Sequence, residues 1–227
     1  MKSSNGLTLI ELLISIAVIV ILGSITFPIL KQSQNNARRT FCTGNMRQWA
    51  IALSLYCSDN EASLPDDGSF TGSSDNGWMN VLPAYLEVPR YKDIPGYGTA
   101  ITNLPLFHIW TCPGRKFQRP WKAGQNYYVC YAMNSELDDV AGEDGEGVNM
   151  AQIPNPPATV VLFDTCADKL VNNYKGFALG KATLSHISGG NILFADGHVS
   201  YIKKEQILTA SGRWITNDTK IIWTPNP

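Results

Sequence analysis

Between Gly6 and Lys31 the chain runs for 24 residues, Leu7 to Leu30, with one ionisable side chain, Glu11. At about 1.5 Å per residue this run makes a helix roughly 36 Å long, enough to cross the hydrocarbon core of a bilayer. Glu11 is the exception to be explained. A carboxylate in the apolar part of a membrane helix costs a few kcal/mol, so it points to a functional role and to a partner. The alternatives are a plain anchor or a secretory signal. A cleavable signal has an apolar run of about 7–15 residues followed by a small-residue cleavage site. Here the run is longer and no Ala-x-Ala follows it; the small residue, Gly6, comes before it, so a cut there leaves the whole helix on the mature chain.

Lys2, the run Gly6-Leu7-Thr8-Leu9-Ile10-Glu11-Leu12-Leu13 and Pro28 together resemble the class III leader and N-terminal helix of type IV pilins and type II secretion pseudopilins. The resemblance implies that a membrane aspartic peptidase cuts after Gly6 on the cytoplasmic side. Leu7 then becomes the first mature residue and is N-methylated. Phenylalanine is commonest at that position, so Leu7 is a departure from the pattern. Glu11 becomes the fifth mature residue, and in the family a packed filament sets this carboxylate beside the N-terminal amine of a neighbouring subunit. Such a pair offsets the cost that either charge would suffer alone in a low-dielectric bundle, and it fixes the axial register. Uncut protein should therefore insert but not polymerise.

The partners implied are other pilin-like subunits, the prepilin peptidase and methyltransferase, an inner-membrane assembly platform and membrane lipid. Pro28, read from its own chemistry, removes one helix hydrogen bond and should kink or locally melt the helix. Charge counting gives the opposite orientation: Lys2 and the α-amine precede the helix while Lys31, Arg38 and Arg39 follow it, which favours a cytoplasmic C-terminal side. The resemblance places the leader in the cytoplasm and the globular part on the periplasmic side of a bacterial inner membrane, or in an extracellular filament, and that orientation is adopted.

At 227 residues and 44% apolar, the chain has room for one anchor helix and one globular domain, the latter of roughly 150–170 residues and able to bury a core. The resulting division is a leader at 1–6, a transmembrane and assembly segment at 7–30, an amphipathic continuation at 31–60 and a globular β-rich domain at 61–227. A net charge of −1 with scattered basic residues argues against nucleic acid as a partner.

Cys42, Cys57, Cys112, Cys130 and Cys166 form no CxxC pair, so neither a zinc ribbon nor a thioredoxin-type motif is expected. Export would permit disulfides. On one unbroken helix Cys42 and Cys57 would lie about 22 Å apart, too far to bridge each other. Each needs a partner among Cys112, Cys130 and Cys166, and one of the five must stay unpaired.

Met46, Trp49, Ala50, Leu53, Tyr56 and Cys57 make an apolar stripe at helical spacing, with Arg47, Gln48 and Ser54 on the other face. Asp59-Asn60 and Pro65-Asp66-Asp67-Gly68 should stop the helix. A Gly/Ser/Asp loop follows at 66–77. Residues 78–86 read as a short helix or turn packed through Trp78, Leu82 and Leu86. Strands are expected at 106–112, 126–132 and 158–165 from their β-branched and aromatic content. Between the last two lies an acidic, glycine-rich loop whose Asp138, Asp139, Glu143, Asp144 and Glu146 could ligate calcium, as a loop does in some pseudopilins. The spacing is not that of an EF-hand, so a solvated loop is preferred and neither a metal nor another cofactor is expected.

Near the C-terminus, residues 191–195 and 198–202 read as two short strands joined by Asp196-Gly197, a dipeptide suited to a type I′ turn. With nine residues between His186 and Asp196, this His-x9-Asp-Gly arrangement is similar to the C-terminal motif of processing-associated prepilin-type proteins. Together with Cys42 to Asn60 and Cys112-Pro113, the resemblance reaches most of the chain. His186, Asp196 and His198 are also plausible zinc ligands, and an open site could activate water for hydrolysis. The turn already accounts for Asp196, and no G-x-S-x-G nucleophile motif is present, so a structural hairpin is preferred. His186 is then expected to hydrogen-bond a backbone or carboxylate group.

The reading is an α+β protein, a long helix packed through its second half on a small antiparallel sheet. Its expected role is a filament subunit that enzymes process, rather than an enzyme. The alternative is a single-pass envelope protein whose domain binds a ligand such as a glycan through exposed Trp110, Trp121 and Tyr127.

Overall fold

The computed structural model describes residues 8–67, 76–94, 109–114, 130–137, 148–164, 186, 188–207 and 221–223. One helix, α1 (Leu9–Asp59), opens the chain. Its residues fall in two compact units, one ending at Arg38 and one beginning at Arg39.

In the first unit α1 presents apolar side chains outward all round, from Leu9 to Leu30. Its few hydroxyls are satisfied by the helix itself: Ser15 donates to the Glu11 carbonyl, Ser24 to that of Ile21 and Thr26 to that of Leu22, each at 2.7 Å. That internal bonding is what an apolar surrounding requires, because it offers no alternative acceptor. Pro28 lies inside the helix, whose hydrogen-bonded ladder continues past it to Asp59 without local melting.

In the second unit one face of α1 is covered. Cys42, Asn45, Met46, Trp49, Ala52, Leu53 and Cys57 are buried, while Arg47, Gln48 and Ser54 are exposed. The stripe expected from spacing is therefore present and extends one turn further toward the N-terminus, with Ala50 and Tyr56 half-buried at its margin. The helix ends at Asp59 in a turn built on Glu61 (φ 53°) and Ala62 (φ 63°), with the Ala62 N–H returning to the Cys57 carbonyl at 2.8 Å. Asn149 pins this turn by donating its side-chain amide to the Glu61 carbonyl at 2.7 Å.

Helix α2 (Trp78–Val81) continues into a 3-10 turn at Leu82–Leu86. Trp78 and Leu82 face the core as expected, and Leu86 is half-buried. Trp78, Trp49 and Trp110 form an aromatic cluster with centroids 4.7–5.9 Å apart, and Tyr91 adds a fourth ring 5.6 Å from Trp110. Large rings on short elements concentrate apolar area where little regular structure is available to supply it.

The sheet contains β1 (Tyr131–Met133), β2 (Val160–Asp164), β3 (Gly189–Phe194) and β4 (Val199–Lys203), antiparallel throughout and in chain order. A short helix, α3 (Lys204–Ile207), follows β4. Alternation along the strands divides the core in two. Tyr131, Met133, Leu162 and Leu193 join the cluster containing Trp49 and Cys42, whereas Ala132, Phe163, Ile192 and Phe194 join Ile207, Ile221 and Trp223. The sheet is thus buried on both faces, which is why β2 and β3 read as nearly continuous apolar runs. The fold is α+β, a long N-terminal helix with a small antiparallel sheet.

Two expectations need correction. Residues 109–112, the described part of the strand expected at 106–112, form a turn and irregular backbone rather than a strand. Ile109 and Trp110 are drawn into the aromatic core and Asn45 Nδ2 holds the Thr111 carbonyl at 3.3 Å, so packing overrides β propensity. Of the strand expected at 126–132, residues 130–132 are described, and Tyr131 and Ala132 lie in β1 as expected. The β3–β4 turn is not type I′, since Gly197 (φ 87°) alone within it has positive φ. The Gly197 N–H returns to the Phe194 carbonyl at 2.9 Å and the Phe194 N–H reaches His198 at 3.0 Å. This is a three-residue loop with the glycine at its left-handed position.

Candidate functional site

Gly6 and Leu7, the expected processing site, lie outside the described residues. Immediately after them Thr8 caps α1. The Thr8 backbone N–H and hydroxyl donate to Glu11 Oε2 at 2.8 and 2.7 Å, and the Glu11 N–H points back to Thr8 Oγ1 at 3.3 Å. This reciprocal pairing is a capping box, readable in the sequence as Thr8-x-x-Glu11 directly before an apolar run. The partner anticipated for Glu11 is therefore, within one chain, the start of its own helix.

A group of interacting polar side chains lies where the Arg39–Asp59 part of α1 meets the sheet. Register sets Tyr131 opposite Asp164 and Asn191 opposite Tyr201. Asn191 joins these pairs across β2 and β3, donating its backbone N–H and its side-chain amide to Asp164 Oδ2 at 2.9 and 2.7 Å. Opposite this polar row, Thr43 donates to Asn191 Oδ1 at 2.8 Å and the Arg39 guanidinium lies 3.9 Å from the Tyr201 ring centroid. Burial pushes Asp164 up to about 7, against the pull of Asn191's two donors.

His186 completes the group. Its carbonyl accepts the Gly189 N–H at 3.3 Å in the turn that opens β3, and its ring Nε2 lies 3.5 Å from Asp164 Oδ2 and 3.4 Å from Cys112 Sγ. The carboxylate neighbour expected for His186 is thus Asp164. Burial, reinforced by the charge of Arg39, pushes the imidazole down to about 4. Cys112 is in turn bonded to Cys42, with Cα atoms 5.5 Å apart and a sequence separation of 70. Cys57 and Cys130 are buried thiols, and Cys166 lies outside the described residues. The ligating atoms of Cys42, Cys112 and His186 all lie within 4.8 Å of one another.

The His-x9-Asp-Gly residues do not converge. His186 sits in the turn before β3, and Asp196 and Gly197 in the turn after it, so the spacing measures one strand with its two turns. Asp196 Oδ1 accepts the His198 N–H at 3.1 Å and lies 2.6 Å from His198 Nδ1. Burial acts against ionisation of Asp196, but the His198 contacts hold its carboxyl below the ordinary range. The His198 ring stacks on Phe194 at 4.4 Å. The cluster among the described residues that could hold a metal contains neither Asp196 nor His198, and His186 and His198 stand at opposite ends of β3 rather than at one shared site. Trp110 is fully buried and cannot present a glycan; Trp121, Tyr127 and the acidic loop at 138–147 lie outside the described residues.

A family model described as the prokaryotic N-terminal methylation motif matches residues 1–27. The chain opens with a type IV pilin-like prepilin segment. The match ends one residue before Pro28, so the matched segment covers 21 of the 24 residues of the apolar run. It continues into a helix that is long and apolar enough, by length and composition, to cross a membrane, consistent with an anchor. Comparisons with curated proteins and with solved structures find no match.

Sequence reasoning missed Thr8, although the Ser/Thr-x-x-Glu pattern was available to it. It also missed Asp164, Asn191 and Arg39. The signal for Asp164 was a carboxylate ending an apolar strand, Val160-Val161-Leu162-Phe163-Asp164, where a solvated charge would not be expected.

Proposed function

We propose that the chain is a pilin-like, pseudopilin-type structural subunit of a type II secretion or type IV pilus-like filament, and a substrate of processing enzymes rather than an enzyme. The observation that carries this is the N-terminal methylation motif joined directly to an apolar helix with one carboxylate. Peptidase cleavage between Gly6 and Leu7 creates an amine, and methylation of Leu7 leaves it protonatable. The subunit is held in the inner membrane with its globular part outside the cytoplasm until the assembly platform extracts it. Both intrachain donors to Glu11 use Oε2, so among the described residues Oε1 is the oxygen left for a neighbouring subunit's amine. In an apolar bundle that charge-assisted contact is the specific one, since the surrounding side chains offer only shape.

Intact mass and N-terminal sequencing of protein from its native membrane test the reading, alongside Glu11→Val. The expected result is a chain beginning at Leu7 with one added methyl group, and a variant that is processed but forms no filaments. An unmethylated chain beginning at Met1 or Lys2 would overturn it in favour of an anchored binding module.

A further inference from the structure

We propose that, before its thiols are oxidised, the domain holds one zinc ion at Cys42, Cys112, His186 and Asp164. Two thiolates, an imidazole and a carboxylate are a donor set that zinc accepts with four-coordinate geometry. With metal–ligand bonds of about 2.0–2.3 Å, tetrahedral ligand atoms stand roughly 3.3–3.8 Å apart. His186 Nε2 already stands 3.4 Å from Cys112 Sγ and 3.5 Å from Asp164 Oδ2. The ligating atoms of Cys42, Cys112 and His186 already lie within 4.8 Å of one another, and Asp164 lies outside that set; to close the site the two sulfurs part to about 3.8 Å once their bond is absent, and the Asp164 carboxylate moves in beside His186.

An independent observation points to the same place. Asp164 is fully buried, yet its Oδ1 has no hydrogen-bond partner, while Oδ2 is held by Asn191. A buried acceptor left unpaired is destabilising, and a cation bound at Oδ1 would supply the partner it lacks. The network from Thr43 through Asn191 to Asp164 is the outer support that orients a ligating group. The four ligands come from α1, the 109–114 turn, the turn before β3 and the end of β2, so the ion would tie the helix to the sheet before the disulfide does.

Oxidation then exchanges one crosslink for the other. The zinc-bound thiolate pair, a disulfide oxidant and two protons give the Cys42–Cys112 disulfide, two thiols on the reduced oxidant, and free zinc. The metal leaves because its two sulfur donors have become a bond.

The test uses the full chain in detergent, reduced with a phosphine and titrated with cobalt(II), then with zinc. One cobalt per chain with tetrahedral d–d bands and a thiolate charge-transfer band is expected, with displacement by zinc and no bands from oxidised protein. His186→Gln and Asp164→Asn should each weaken affinity at least tenfold, while Cys57→Ser leaves it unchanged. Zinc should also protect Cys42 and Cys112 from alkylation, read by peptide mapping. Absence of the bands, or bands that survive in Cys112→Ser and vanish in Cys57→Ser, would overturn the site, as would full affinity in His186→Gln. None of these outcomes depends on filament assembly.

Discussion

Thr8 and Glu11 close a reciprocal pair at the start of α1, the Thr8 N–H reaching Glu11 Oε2 at 2.8 Å and the Thr8 hydroxyl the same oxygen at 2.7 Å. The carboxylate that a filament would use between subunits therefore already has work within its own chain, starting the helix. Glu11→Gln separates the two roles, because an amide oxygen still caps but carries no charge. Gln should keep the Thr8 to Leu12 amides protected from hydrogen exchange in micelles while abolishing filaments. Thr8→Ala should lose that protection at a cost of about 1 kcal/mol, leaving the charge at residue 11 in place.

The Cys42–Cys112 bond closes a loop spanning 70 residues between helix and core. For loops of this order a disulfide contributes about 4 kcal/mol. Replacing both cysteines by serine should lower the denaturant midpoint of the domain accordingly. Peptide mapping of the unreduced native protein should recover Cys42 and Cys112 in one linked pair.

Gly189 is required by close approach. A Cβ there would run into the Ile202 carbonyl oxygen and stand 2.9 Å from the Tyr201 ring. Gly189→Ala should destabilise by roughly 2–4 kcal/mol by forcing β3 and β4 apart, measured by chemical denaturation. Adding Tyr201→Ala should not restore stability, since the backbone oxygen cannot be removed.

Ala62 holds a left-handed backbone at φ 63° immediately after α1. Glycine adopts that conformation without a Cβ conflict. Ala62→Gly should therefore raise stability by about 1 kcal/mol, a change visible as a higher thermal midpoint.

Burial pushes the Cys57 thiol up to about 11. Only the thiolate attacks an alkylating reagent. At pH 8 the thiolate fraction is about one in a thousand, so Cys57 in the folded protein should label slowly with iodoacetamide. The rate should rise about tenfold per pH unit toward 11 while the fold persists. Mapping the Cys57 peptide against pH checks both statements.

The apolar run, its single carboxylate, the two-faced continuation of the helix and the C-terminal hairpin were all legible because each is a local pattern. A span needs only length and hydropathy, a helix face only a period near 3.6, and a hairpin only a turn glycine between apolar runs. The turn type was misjudged because Asp196-Gly197 suits more than one loop, and the loop length that chooses between them is set by the β3–β4 register. The strand expected at 106–112 is absent over its described part, 109–112, because Trp110 and Cys112 are held by α1, at a distance in sequence that no propensity sees.

Sequence alone thus determined that the chain opens with an apolar, membrane-compatible helix carrying one carboxylate, and that one face of that helix continues as an apolar stripe. It could exclude a Cys42–Cys57 bridge by rise per residue, but it could not choose Cys112 among the remaining cysteines. Only the tertiary structure brought Cys42, Cys112, Asp164, Asn191 and His186 to one place, and turned a nine-residue spacing into a strand with its two turns. The physical reason is that pairing, register and burial of polar groups depend on which distant segments share a core, a property of the packed molecule rather than of any one stretch.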